Sequence, residues 1–148
     1  MIPYGRQHID EDDVAAVIRV LKSDYLTQGP RVGEFETELA RYCGCDHAVV
    51  FNSGTSALHA AYFAAGLTNG DEFITSPITF VATSNAGLYL GAVPVFADIE
   101  PDTGNIDPAA ATEKITERTK LIVPVHYAGH SAAMAELADI AQEHDLRI

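Results

Sequence analysis

The sequence has no tryptophan, only two cysteines and no run of apolar residues long enough to cross a membrane. A spanning helix needs about 20 consecutive apolar residues. Cys43 and Cys45 are separated by a single residue, so they do not form a disulfide framework and are interpreted as two structural thiols. The first residues also lack the apolar stretch of a signal peptide. We therefore expect a cytoplasmic protein that does not act in a membrane.

Basic residues are scarce as well. Nine Lys and Arg residues stand against 21 Asp and Glu residues, which gives a formal net charge of −12. This charge argues against a broad basic face for nucleic acid or anionic lipid, although backbone N–H groups are still able to bind one phosphate locally. Between Tyr42 and Glu113 there is no Lys or Arg at all. Such a segment is typical of central parallel strands and their covering helices.

What is present suits one ordinary domain, because 148 residues of which 47% are apolar are enough for one core. Asp10 is predicted to cap a helix over 10–22, and a loop over 23–31 precedes a second helix that ends at Gly44. Strands and helices then alternate, which predicts a mostly parallel sheet, and Pro94 indicates an edge strand or the start of a strand. The predicted strands are 47–52, 72–75, 93–98 and 121–125, and the predicted helices are 56–65, a helix ending near Gly91, 107–115 and 132–144.

Residues 145–148 resemble the opening of a fifth strand. Because a domain rarely ends at the first residues of a core strand, we expect this chain to be the N-terminal part of a longer protein.

The junction Asn52-Ser53-Gly54-Thr55-Ser56-Ala57-Leu58 joins a predicted strand to a predicted helix. The N–H groups of Thr55, Ser56 and Ala57 are expected to lie unpaired at the helix start beside two hydroxyl groups, which is an arrangement that binds phosphate. The junction has neither the Walker sequence nor the dinucleotide-binding glycine pattern. The alternative is a plain helix cap in a tight turn.

Two further candidates follow predicted strands, at the edge of a parallel sheet where ligands bind. Phe80, in Ser76-Pro77-Ile78-Thr79-Phe80, is either a stacking surface for a ligand or a core residue. His126 is a candidate for lining a ligand pocket. His126 and His130 have a spacing of four residues, but Gly129 interrupts any helix between them, and we predict no metal site.

Taken together, eight stretches come in the order seen in the DegT/DnrJ-type sugar aminotransferases, which are pyridoxal phosphate (PLP) enzymes of fold type I, and the chain resembles that family. Within it, the resemblance is to the branch that aminates C4 of a UDP-linked 4-keto-6-deoxy-N-acetylhexosamine in pseudaminic acid biosynthesis. The stretches are Pro3-Tyr4-Gly5, Leu26-Thr27-Gln28-Gly29-Pro30, Phe35-Glu36, Asn52 to Leu58, Asp71-Glu72, Pro77 to Thr83, Gly91 to Asp98 and Pro124 to Gly129.

The resemblance implies a three-layer αβα fold with a mostly parallel sheet. Residues 1–45 would form an N-terminal helical arm with a substrate-side loop, and residues 46–148 the first part of the PLP-binding large domain. Gly54, Thr55 and Ser56 match the positions that hold the PLP phosphate, and Phe80 matches the ring-stacking residue. On the substrate side the matching positions are Tyr4, Asp24, Tyr25, Leu26, Thr27 and Gly54, and we add His126 as a pocket-lining candidate.

The implied activity is amino transfer, with L-glutamate as donor and a UDP-sugar as acceptor, in a homodimer. Lys22, Lys114 and Lys120 do not match the family's cofactor-binding lysine, so no catalytic residue is assigned within this chain. A non-catalytic module that binds a sugar nucleotide or phosphate remains the alternative. A Rossmann-like oxidoreductase would need a glycine pattern that Asn52-Ser53-Gly54-Thr55 does not have.

Overall fold

The computed structural model describes residues 5–148, which form two compact units divided between Val50 and Phe51. The first unit contains α1 (Glu11–Leu21) and α2 (Pro30–Cys43). The second unit alternates strands with helices. Its elements are α3 (Gly54–Ala64), β1 (Glu72–Thr75), α4 (Ala82–Leu88), β2 (Val93–Phe96), α5 (Pro108–Glu113), β3 (Thr119–Val123), a 3₁₀ turn (Tyr127–Gly129) and α6 (Met134–Glu143).

The two helices of the first unit begin and end where their sequences provide caps. Asp10 accepts hydrogen bonds from the N–H groups of Asp12 and Asp13, while the Asp13 carboxylate accepts from the Asp10 N–H. This reciprocal pair is a capping box. α2 ends at Gly44, whose φ of 68° is left-handed, as the prediction of a C-terminal glycine requires. α2 begins one residue before the end of the predicted loop, because Pro30 fits the first position of a helix.

The sheet of the second unit is parallel and has the strand order β2-β1-β3. Every residue of β1 is buried, as expected for a central strand that helices cover on both faces. Pro94 lies in β2, at the edge of the sheet in the described part of the chain, where its missing N–H removes no ladder bond. The parallel sheet and the edge position of Pro94 confirm both predictions.

Helices cover both faces of this sheet, because adjacent residues of a strand point to opposite faces. Ile74 and Ile122 pack with Leu137 of α6 in one buried cluster. Phe73 and Leu121 pack with residues of α3 and α4 in a second cluster that includes Tyr62 and Ala86. The predicted three-layer αβα arrangement is therefore confirmed.

One predicted strand is wrong. Residues 47–52 form no strand, and Val49 and Phe51 are 69% and 45% exposed. The Val50 N–H donates to the Glu36 carboxylate over 3.0 Å instead of to a neighbouring strand. A strand exists only where its backbone pairs with another, and none of the described residues pairs with this apolar segment.

Smaller differences lie at the end of the second unit. β3 begins at Thr119 rather than Leu121 and ends before Pro124, which cannot donate to a ladder. The predicted fifth strand is a single parallel bridge between Leu121 and Arg147. The domain division at residue 45 stays a prediction for the whole protein. In the described residues, no helix combines the length and the apolar character that a membrane span requires.

Candidate cofactor site

The start of α3 presents two N–H groups that have no acceptor among residues 5–148. Ser53 is the cap: its Oγ accepts from the Ser56 N–H over 3.2 Å, and its carbonyl accepts from the Ala57 N–H over 3.1 Å. Among the described residues, none accepts from the N–H of Gly54 or Thr55. The open donors are therefore those of Gly54 and Thr55, and the prediction that Ser56 and Ala57 are also unpaired is wrong, because Ser53 satisfies both.

Hydroxyl groups flank these donors. The Ser56 hydroxyl donates to the Asn52 side chain over 3.1 Å and lies 3.0 Å from the Ser53 hydroxyl. The Thr55 hydroxyl has no partner within the part of the chain that the structure describes. Thr55 and Ser56 are half-buried and Gly54 is exposed, so the first residue of the helix is open to solvent.

Space, and not backbone strain, distinguishes Gly54. It is the first residue of α3 and does not have a positive φ, and a Cβ built on it meets no atom within 4 Å. Positive φ therefore gives no reason for a glycine here. What the glycine leaves is open space at the first residue of the helix, where helix N-termini bind anions.

The loop after β1 starts next to the buried residue Thr75 and leads to the exposed ring of Phe80. Thr75 is fully buried, and its hydroxyl donates to the Val123 carbonyl of β3 over 2.8 Å. The hydroxyls of Thr79 and Thr83 are 2.8 Å apart and bracket Phe80, which is 76% exposed. The core interpretation of Phe80 is therefore wrong, and its stacking role stays a prediction.

The start of α4, next to Phe80, is held by a buried tyrosine. The Tyr62 hydroxyl donates to the Thr83 carbonyl over 2.9 Å, and burial raises the pKa of Tyr62 to about 12. A phenol kept protonated in this way is a permanent donor at ordinary pH. It fixes the first turn of α4 against α3.

His126 follows β3, is exposed, and is held by its own loop. Its Nδ1 accepts a hydrogen bond from the Ala132 N–H over 3.1 Å. Because Nδ1 must be unprotonated to accept, the neutral ring carries its hydrogen on Nε2. The sequence pattern predicted that His126 lines a ligand pocket, but it did not indicate the hydrogen bond from the Ala132 N–H.

These features share one edge of the sheet. The loops with Phe80 and His126 leave the carboxyl ends of β1 and β3, which are parallel. The short connection from Ala64 to Glu72 makes α3 run antiparallel to β1, so the open start of α3 faces the same edge. Ligands of open α/β sheets bind at this edge.

The predicted substrate loop belongs to the first compact unit. Asp24, Tyr25, Leu26 and Thr27 are all exposed. The loop is folded on itself: the Ser23 hydroxyl donates to the Val20 carbonyl over 2.8 Å, and a Cβ at Gly29 would lie 2.9 Å from that of Tyr25. Tyr4, the remaining substrate-side prediction, lies outside the described residues.

Asn105 is a further residue of this edge, and it was not predicted from the sequence. It is 1% exposed and bonds through its side chain to three backbone groups of the loop that follows His126. These partners lie more than 20 residues along the chain, so no local pattern reveals them. The only local signal was a Gly104-Asn105 pair, which is typical of turns.

An α/β fold with an open helix start at the carboxyl edge of its sheet is typical of proteins that bind nucleotides or phosphate-containing cofactors. Residues 7–148 match the DegT/DnrJ/EryC1/StrS aminotransferase family, and the chain belongs to it. The predicted recognition is thereby confirmed, and so is the fold class, the N-terminal portion of a fold type I aminotransferase. Pyridoxal phosphate is the cofactor of this family.

Several known proteins are similar over almost the whole chain. The spore coat polysaccharide biosynthesis protein SpsC of Bacillus subtilis (strain 168) is 45% identical over 145 residues, covering 98% of this chain and 37% of the relative. Helicobacter pylori PseC, an aminotransferase involved in pseudoaminic acid biosynthesis, superposes with a TM-score of 0.90 at 44% identity, covering 97% of this chain and 39% of PseC. The PLP-form of the sugar aminotransferase Spr1654 from Streptococcus pneumoniae gives 0.92 at 32% identity, over 99% of this chain and 38% of Spr1654. The chain therefore spans well under half the length of these relatives.

Proposed function

We propose that this chain is the N-terminal, cofactor- and substrate-binding part of a PLP-dependent aminotransferase. The amino group comes from L-glutamate and goes to the C4 keto group of a UDP-linked 4-keto-6-deoxy sugar, in nucleotide-sugar or surface polysaccharide biosynthesis. The observation that carries the proposal is the open start of α3, where the N–H groups of Gly54 and Thr55 have no protein acceptor among the described residues. The relatives named above, SpsC and PseC, support a polysaccharide or sugar context.

The residues at the start of α3 fit a phosphate group. Two N–H donors, the Thr55 hydroxyl, which has no partner among residues 5–148, and the open space at Gly54 suit an anion that needs several hydrogen bonds. The positive end of the helix dipole adds to the attraction. This chain has no Lys or Arg between residues 42 and 113, so backbone and hydroxyl donors carry the binding on this segment.

When bound, PLP supplies an electron sink at the substrate carbon that gains or loses a proton. The chain's own residues hold and enclose it. Phe80, exposed on a firmly anchored turn, covers one face of the flat ring and excludes water from it. His126 offers its Nε2–H as a donor to an oxygen of the substrate.

For the substrate side we propose the positions that the family resemblance matches, namely the exposed residues Asp24–Thr27 together with Tyr4 and Gly54. Tyr25 and Leu26 present apolar surface, and Asp24 and Thr27 offer polar groups for sugar hydroxyls. We further propose that the whole protein acts as a cytoplasmic homodimer. The lysine that binds the cofactor lies outside these 148 residues.

Reductive trapping tests this assignment. Lys114 is the exposed C-terminal cap of α5, and Lys120 lies near the amino end of β3, at the sheet edge opposite Phe80 and His126. Lys22 is the exposed C-terminal cap of α1. After incubation with PLP and borohydride, the 148-residue chain should carry no specific adduct and show no transamination. The whole protein should be yellow, active and labelled on one lysine outside the chain.

Peptide mapping separates the outcomes. A stoichiometric adduct on Lys22, Lys114 or Lys120, together with activity, would overturn the proposal. Binding of UDP-sugar by the whole protein with no PLP absorbance and no adduct would favour the non-catalytic module instead.

A further inference from the structure

The loop between His126 and Ala132 has a backbone that few sequences adopt unaided. Ala128 has a φ of 52° and Gly129 a φ of 83°. An alanine in the left-handed region is disfavoured by contact of its Cβ with the backbone. Such a residue keeps this conformation only where its surroundings determine it. A group outside the loop must therefore stabilise this backbone conformation.

Asn105 stabilises this loop through hydrogen bonds from its side chain. Its Oδ1 accepts from the Tyr127 N–H over 2.9 Å, and its Nδ2 donates to the carbonyls of His130 and Ser131 over 3.2 and 3.1 Å. Both amide hydrogens are used, and one buried side chain binds the loop at its beginning and at its end. Such a satisfied buried amide fixes the backbone around it.

Asn105 is itself firmly held. Its N–H donates to the Thr103 hydroxyl over 3.1 Å, and its carbonyl accepts from the Glu100 N–H over 2.9 Å. The adjacent Gly104 has a φ of 72°, and a Cβ there would lie 2.9 Å from the Tyr127 ring. The turn that carries Asn105 therefore packs directly on the loop that it binds.

The same loop holds His126. The bond from the Ala132 N–H to His126 Nδ1 joins the two ends of the segment that Asn105 clamps between them. Ala132 is buried in the core cluster with Leu137, so it is a rigid anchor. The bond exists only while residues 127–131 keep the distance between the ring and this N–H.

We propose that Asn105 is a positioning residue for His126. By clamping residues 127–131, it keeps the Ala132 N–H on Nδ1 and so presents Nε2–H as a fixed donor at the carboxyl edge of the sheet. Resting on the proposed function, the acceptor is an oxygen of the sugar-nucleotide substrate. The clamp itself does not depend on that function.

The clamp is tested on the ligand-free 148-residue chain by NMR. At about pH 8.5, long-range ¹H–¹⁵N spectra should show His126 with an unprotonated Nδ1 and a hydrogen on Nε2, as the bond from the Ala132 N–H requires. A His126→Gln variant assigns the signals. A hydrogen on Nδ1 in the unaltered chain would overturn the proposal without any further variant.

Hydrogen exchange then tests the role of Asn105. In Asn105→Ala and Asn105→Asp, exchange of the Ala132 amide should rise at least about tenfold relative to that of Ile74 in β1, because the loop loses bonds to a buried partner. Tyr62→Phe is the control: it loses one buried bond far from the loop and should leave the ratio unchanged. An unchanged ratio in both Asn105 variants would refute the clamp.

A kinetic cycle on the whole protein tests the step from His126 to the substrate. Asn105→Asp and His126→Gln should each raise KM for the sugar nucleotide more than they lower kcat, and the double variant should be no worse than His126→Gln alone. Additive effects would refute action through His126. If the protein has no transaminase activity, the proposed function fails, while the NMR result still decides the clamp.

Discussion

Replacing Gly54 with proline removes one donor from the proposed phosphate site while leaving α3 intact. Gly54 is the first residue of the helix, where the fixed φ of proline is suitable and the N–H has no intrahelical acceptor. Ser53 has φ −157° and ψ 155°, an extended conformation that a following proline requires. No atom lies within 4 Å of a Cβ at this position. Folding should therefore be unchanged, or up to about 1 kcal/mol more favourable because the unfolded chain loses freedom.

The expected loss in binding follows from the charge on the acceptor. A hydrogen bond to a charged group contributes about 1.5–3 kcal/mol, so loss of the Gly54 donor should raise the Kd for PLP by about 10–150-fold. Pyridoxal lacks the phosphate, and its Kd should not change. Titration of the whole apoprotein with each compound, followed by absorbance, gives both values.

Gly54→Ala is the matched control because it adds a side-chain atom but keeps the N–H. Its Kd for PLP should stay closer to that of the unaltered protein than that of Gly54→Pro. If Gly54→Pro folds normally and binds PLP with unchanged affinity, or loses PLP and pyridoxal equally, the N–H of Gly54 does not hold a phosphate.

Two further predictions concern stability. Gly87→Ala places a Cβ on the ring of Phe73, which is completely buried, and should cost about 1–3 kcal/mol of unfolding free energy; hydrogen exchange of β1 measures this loss. Gly33→Ala, with no atom within 4 Å, should instead stabilise α2 by about 0.5–1 kcal/mol, and a loss at Gly33 equal to that at Gly87 would contradict the packing argument. Burial raises the pKa of Tyr62 from 10.0 to about 12, so the unfolded state releases the Tyr62 proton at a lower pH than the folded state does. The contribution of Tyr62 to stability is therefore complete below pH 10 and falls by about 2–3 kcal/mol as pH rises towards 12. Tyr62→Phe should abolish this part of the slope in urea titrations, and a slope that persists would assign it to another group.

Features set by adjacent residues could be predicted from the sequence. Asp10 and Gly44 cap their helices through groups within a few residues, and Pro94 reports an edge strand because of its own missing N–H. The apolar segment 47–52 was different, because its composition favours a strand while pairing depends on a partner elsewhere. The composition of the segment indicates a preference for a strand, but it does not show whether a neighbouring strand is there to pair with it.

In the candidate site, too, features determined by adjacent residues could be predicted, and features that depend on distant residues could not. The open helix start at Gly54 and Thr55 was predictable from the sequence, but which N–H groups stay open depends on Ser53, whose side chain accepts from the Ser56 N–H. The clamp by Asn105 was not predictable, because it joins residues 22 to 26 positions apart. Long-range polar contacts leave no periodic pattern in the chain.

Exposed site residues on this edge are held by buried neighbours. Phe80 is open to solvent, yet Thr79 and Thr83 bracket it, and the Tyr62 hydroxyl holds the Thr83 carbonyl. His126 is open as well, while Ala132 and Asn105 fix its loop from within the core. In both places the backbone near the exposed group is hydrogen-bonded to a buried side chain, that of Tyr62 or that of Asn105. Precise placement of binding groups requires such support, so substitutions at Tyr62 and Asn105 should affect binding although neither residue reaches the ligand.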